Sequence, residues 1–123
     1  MKIISDTAHG ILDYLTVAIF ALAPGILGLT GVAALVSYAL AAIHLAMTLL
    51  TNMPLGVFKI IPMRLHALVE MLVGPVLVVA ALVLPTMLGD GREFFLVMGL
   101  VILAVWLLSS YGRPAVVRQS HST

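Results

Sequence analysis

Two short patterns carry ionisable groups into otherwise apolar sequence: His9-Gly-Ile-Leu-Asp13 and His66-Ala-Leu-Val-Glu70. Each sets a carboxylate four residues after a histidine, and residues i and i+4 share one face of a helix. Thr16 continues the first stripe. A third apolar stretch holds Ser37, His44, Thr48 and Thr51, at spacings of seven, four and three, again one face. Three imidazoles (His9, His44, His66) and two carboxylates (Asp13, Glu70) are a donor set that suits Zn²⁺, Mn²⁺ or Fe²⁺. A b-type haem is a second metal chemistry open to them. It needs two histidines facing each other across a bundle, here His44 with His9 or His66. Proton exchange is a third, since carboxylate and imidazole can pass protons near neutral pH. The plain structural use is a hydrogen-bonded joint between helices. Neither the Glu-x-x-His signature of di-iron bundles nor a His-x3-His pair is present.

The elements that must position these groups follow from composition. The 123 residues are 63% hydrophobic and 9% charged, against about 45–50% and about 25% in soluble domains. Mean hydropathy is +1.23. A soluble globular domain and a disordered chain are both excluded. The absence of cysteine removes thiol catalysis, disulfides and Fe–S clusters. A net charge of +1 with no basic face leaves nothing to hold nucleic acid. No formal charge lies between Asp13 and Lys59, between Glu70 and Asp90, or between Glu93 and Arg113. About 20 apolar residues cross a hydrocarbon core as helix, and Pro24-Gly25, Gly28 and Gly31 break the first long stretch. Four spans are predicted, at 7–27, 31–51, 64–85 and 94–111. Helices without charged outer faces are not those of a soluble bundle, and four segments are too few for a barrel. Lys2, Lys59, Arg64, Arg113 and Arg118 fall on one side and Arg92 alone on the other, so both termini are expected in the cytoplasm. Ala21-Leu22-Ala23 resembles a leader cleavage site, but His9 and Asp13 interrupt the leader pattern, and the segment is expected to stay in the fold. At 1.5 Å per residue, all five ionisable groups lie in one layer about 6–12 Å below the cytoplasmic face.

The chain also reads as a duplication. Three features recur at a nearly constant separation: His9-x3-Asp13 as His66-x3-Glu70, Pro24-Gly25-Ile26-Leu27-Gly28 as Pro85-Thr86-Met87-Leu88-Gly89, and Pro54 as Pro114. Two tandem hairpins are expected, about 5–56 and 62–114, with a polar tail at 115–123. Two spans per copy give both copies one orientation, hence a pseudo-twofold axis along the membrane normal. The pattern His-Gly-x-Leu-Asp-Tyr, followed by a span ending in Pro and then Leu-Gly, resembles the SPW-repeat family of small bacterial membrane proteins. The signature triplets read Ala23-Pro24-Gly25 and Leu84-Pro85-Thr86, so Pro is kept and Trp is absent from both. The resemblance implies a bacterial inner-membrane protein of duplicated hairpins and brings no activity with it.

The fold class expected is all-α, a single four-helix transmembrane bundle over residues 1–123. The candidate polar site is His9, Asp13, His44, Thr48, His66 and Glu70, with the three histidines and two acids as the metal-ligating set. Span four offers no ionisable group; its polar residues are Ser109, Ser110 and Tyr111. No nucleophile–base pair stands out, and Ser109 and Ser110 have no evident partner, so an enzyme is not expected. The first expectation is a structural or accessory membrane module without a cofactor. The alternatives are a metal- or haem-binding protein and a proton-coupled transporter acting as an oligomer. The partners expected are membrane lipid and a second copy of the chain. Gly25, Gly28 and Gly31 are expected to shape the outer turn, and Trp106 and Tyr111 to anchor at the interface. The apolar loop 55–62, flanked by Lys59 and Arg64, is expected to lie along the inner surface.

Overall fold

The computed structural model describes residues 3–109. Helix α1 runs Asp6–Leu27, α2 Gly31–Leu50, α3 Met63–Val83, α4 Pro85–Leu88 and α5 Arg92–Leu108, with a 3-10 turn at Gly89–Gly91 between the last two. The first three agree closely with the predicted spans. The fourth differs: it runs from Pro85 to Leu108 as one apolar segment of 24 residues. Its start is set by Pro85, whose ring disfavours α-helical backbone at the preceding residue. Leu84 accordingly leaves the helix, at φ −119° and ψ 51°. The charges Asp90, Arg92 and Glu93 fall at the 3-10 turn and the first turn of α5 instead of before the span.

The ends of α1 follow ordinary capping chemistry. Ser5 Oγ accepts from the Ala8 N–H at 3.2 Å. Gly28, at φ 69°, ends the helix in the left-handed conformation that only glycine adopts cheaply, and its N–H returns to the Pro24 carbonyl. Pro24 itself lies inside α1, so the turn sits at Gly28 and not at Pro24-Gly25.

The bundle is apolar outside, and one end of its interior is polar. Ile11, Leu15, Ile19, Leu22 and Ile26 form an exposed stripe along α1, and Leu65, Leu68, Leu72, Val76 and Val79 form one along α3. The buried set includes His9, Asp13, Ser37, Thr48, Thr51, His66, Glu70 and Ser109. Burial in water sorts these residue types the other way. Together with four helices long and apolar enough to cross a bilayer, this is the architecture of a multi-pass membrane protein.

Helix α1 packs along α2, and α3 along α5. In the second pair the backbones meet at glycine: a Cβ on Gly99 would lie 2.8 Å from the Gly74 carbonyl oxygen. In the first pair Ser37 Oγ donates to the Phe20 carbonyl at 2.6 Å. An apolar core of Phe20, Ala23, Ala33, Leu77, Ala81 and Phe95 joins the two pairs away from the polar layer.

At the opposite end, the segment after α2 folds back on it. The N–H groups of Val57 and Phe58 donate to the Leu49 carbonyl, and those of Ile60 and Ile61 to Leu50. These bonds satisfy carbonyls that a helix end leaves unpaired. A Cβ at Gly56 would collide with the Thr51 carbonyl, so this fold-back requires glycine there. Two parallel bridges, Ile4 with Ser109 and Thr51 with Ile61, bring both described ends and this segment to the same end of the bundle. Trp106 is half-buried. The expectations that involve Lys2, Ser110, Tyr111, Arg113, Pro114, Arg118 and the 115–123 tail lie outside the described residues.

Candidate metal centre

The i,i+4 geometry of α1 turns His9 and Asp13 inward together, and that of α3 does the same for His66 and Glu70. His9 Nε2 lies 3.2 Å from Asp13 Oδ2 and 3.2 Å from Glu70 Oε1. His66 Nε2 lies 3.1 Å and 3.0 Å from the same two oxygens. All four side chains are buried. Four potential ligand atoms, one from each, lie within 4.8 Å of one another.

The other side of each ring is fixed by a hydroxyl. Ser109 Oγ donates to the Val105 carbonyl at 2.6 Å and so spends its only proton there. Its 2.6 Å contact with His9 Nδ1 must then use the ring N–H. Thr51 Oγ1 repeats the arrangement, donating to the Met47 carbonyl at 2.5 Å and standing 2.7 Å from His66 Nδ1. This hydrogen-bond count puts a proton on Nδ1 of both rings and leaves both Nε2 atoms facing the acids. Ligating histidines are commonly held in this way, with the far N–H donated to a fixed acceptor.

The acids are not equivalent. Glu70 Oε1 is in hydrogen-bond geometry with both Nε2 atoms. Asp13 Oδ2 is fully buried and makes no hydrogen bond, although two ring nitrogens lie within 3.2 Å of it. Its distances are those between neighbouring ligands of one ion: donors about 2.0–2.2 Å from a metal stand about 3–3.5 Å from each other. Two carboxylates in a bilayer layer need two positive charges to offset a cost of about 2.5–3.5 kcal/mol for each at full depth. One divalent ion supplies them with both rings neutral, and two further ring protons supply them without an ion.

Of the six residues expected at the site, five converge. His44 reaches its edge, with Nε2 3.5 Å from Asp13 Oδ1 and 3.8 Å from Glu70 Oε1. Thr48 is buried, but its hydroxyl donates to the His44 carbonyl at 2.7 Å. That is the i−4 back-bond a hydroxyl makes in a helix interior, and it takes Thr48 out of the polar set. Thr16 does the same with the Leu12 carbonyl. Ser109, expected to have no partner, holds His9 instead. Thr51, read only as part of a polar face, holds His66. The signal for both was available: Thr51 and Ser109 are separated along the chain by nearly the same interval as His9 and His66.

No protein-family model, curated protein or solved structure matches the chain.

Proposed function

We propose that this chain is a bacterial inner-membrane protein, with both termini cytoplasmic, that holds one divalent transition-metal ion between two duplicated hairpins. The ligands are His9, Asp13, His66 and Glu70, with Zn²⁺, Mn²⁺ or Fe²⁺ as the ions their N₂O₂ chemistry favours. The observation that carries the reading is the convergence of four donor atoms, one from each of these residues, together with Asp13 Oδ2, a buried carboxylate oxygen with no hydrogen bond. Two bridges that pair equivalent positions of the hairpins, Ile4 with Ser109 and Ile61 with Thr51, support the duplication, as does the resemblance to SPW repeats. Lys59 and Arg64 beside the polar layer support its cytoplasmic placement. The exposed apolar side chains of Val57, Phe58 and Ile60 suit contact with lipid at that face. The role is one of binding, not of chemical turnover.

The geometry does not favour haem. An axial pair must face each other with the macrocycle between them, whereas His44 Nε2 stands 3.5 Å from Asp13 and 3.8 Å from Glu70 and both His9 and His66 stand against the same two acids, so all three rings crowd onto one pair of carboxylates.

The test is metal analysis of the purified chain after loading with Zn²⁺, Mn²⁺ or Fe²⁺ and dialysis. Wild type is expected to keep one ion per chain, and the isosteric pair Asp13→Asn with Glu70→Gln to keep none while remaining helical. A wild type that retains none of the three ions overturns the reading. The cluster is then a proton-filled joint, a second reading favoured by the bonds that tie the start of α1 to the end of α5 and the start of α3 to the end of α2.

A further inference from the structure

The four proposed ligands leave His44 without a part. Its Nε2 stands 3.5 Å and 3.8 Å from the nearest acid oxygens, farther than the 3.0–3.2 Å that separates the ring nitrogens of His9 and His66 from the acids. It is therefore drawn back from the centre. Between α2 and α3 at this level lies a cavity of about 20 Å³. Its polar walls are His44, His66 and Glu70, and Leu40, Ile43 and Val73 close its apolar side. A volume of this size accepts one water-sized ligand and needs at least two polar partners to hold it. An ion held by His66 and Glu70 would border this cavity, which His44 also lines. Among the described residues the opposite hairpin has no histidine equivalent to His44. The separation that relates Thr51 to Ser109 carries His44 onto Ile102, which is buried in the apolar core.

We propose that the metal centre keeps one exchangeable coordination position on the α2–α3 side. Its occupant is a single water or a small anion such as hydroxide or azide, and His44 is the positioning residue that hydrogen-bonds it. This rests on the metal reading above. Four protein ligands alone would make a closed structural site; the exchangeable position is a fifth one, and it is what would set this centre apart as one that exchanges a small ligand. The inference thus moves the protein from metal storage or bracing toward reversible binding of a small ligand at the bound ion.

The experiment uses the full chain loaded with Co²⁺, whose visible absorption reports coordination number and ligand exchange, titrated with sodium azide. The wild-type spectrum is expected to shift saturably. His44→Ala is expected to keep stoichiometric Co²⁺ and to bind azide about tenfold more weakly, the loss of one hydrogen bond to a charged ligand. His44→Gln, which restores a donor, is expected to recover part of the affinity. Val73→Phe leaves His44 in place but fills the cavity, and is expected to abolish the shift. A wild-type spectrum that azide does not move overturns the proposal, as does an equal affinity in His44→Ala. Loss of Co²⁺ from His44→Ala also overturns it, by making His44 a ligand. A wild type that retains no Co²⁺ overturns this inference together with the metal reading, whereas retained Co²⁺ that is inert to azide overturns this inference alone.

Discussion

The two hairpins agree at one end and differ at the other. At the polar end each supplies a histidine, an acid four residues on and a helix-terminal hydroxyl, and each hydroxyl serves the histidine of the opposite hairpin. Away from it, α1 and α2 are joined by the Ser37 bond to the Phe20 carbonyl, whereas α3 and α5 are pressed together at Gly74 and Gly99. The outer connections differ too. Hairpin one turns within Gly28–Thr30, and hairpin two needs α4 and a 3-10 turn. In lipid the apolar side chains gain little by leaving their surroundings, so helices are held by close backbone approach or by polar bonds. Either device works, and the apolar halves are free to use different ones. The polar layer is not free, because His9, Asp13, His66 and Glu70 each face a partner in the other hairpin.

The largest effect expected is at the glycine crossing, which only hairpin two possesses. Gly99→Val places its Cβ 2.8 Å from the Gly74 oxygen and close to Leu77 and Val78. Overpacking of this kind costs about 1–3 kcal/mol, and rigid backbone on the facing side puts the expected cost at the upper end. Ala41 stands at the equivalent position of hairpin one, by the separation that relates Thr51 to Ser109, and there the core already accommodates a side chain. Ala41→Val is expected to cost less than half as much. Reversible unfolding in mixed detergent micelles measures both, and equal costs would erase the distinction between the crossings.

The second comparison tests the shared end. Ser109→Ala and Thr51→Val each remove the hydroxyl that receives a ring Nδ1 proton. Loss of such an outer partner lowers metal affinity by about 10–100-fold. The matched placement predicts similar losses from the two variants, read as the Zn²⁺ concentration needed for half-loading. A large loss from one and none from the other would show that the hairpins share geometry but not function.

What the sequence makes legible follows the same division. Gaps between charges locate the spans because an uncompensated charge in lipid is expensive. The His-x3-acid spacing locates the cluster because a helix turns i and i+4 to one side. The start of the fourth span is harder to see. Asp90, Arg92 and Glu93 look like a boundary, yet charges are tolerated at a helix start near the interface, and the backbone constraint of Pro85 decides. Hydroxyls are the least legible. Thr48, Thr51 and Ser109 all have the same choice between their own i−4 carbonyl and a neighbour. Only the packing of another helix decides whether the oxygen's remaining lone pair meets an imidazole. Ser109 meets one 100 residues away and Thr51 one 15 residues away, while Thr48 has its carbonyl bond alone.

The smallest expected effect is at Ser37, the polar device peculiar to hairpin one. Its hydroxyl is fully buried and bonds a carbonyl of the neighbouring helix at 2.6 Å. A bond of that length in lipid looks strong, but the alternative state in the membrane also finds partners, so such bonds average about 0.6 kcal/mol. Ser37→Ala keeps the small volume that lets α2 approach α1, but the residue four on from Phe20 is Pro24, which has no N–H, so the Phe20 carbonyl loses its hydroxyl donor with no helical N–H to replace it. The expected loss is therefore above that average, toward the upper end of about 1.7 kcal/mol, with metal loading unchanged because Ser37 touches none of the ligands. Ser37→Leu separates the two contributions: if small size is what holds α1 to α2, it costs several times more than Ser37→Ala. If the two substitutions cost the same, the hydrogen bond alone joins hairpin one. The contrast with the glycine contact of hairpin two is then one of chemistry and not only of side-chain size.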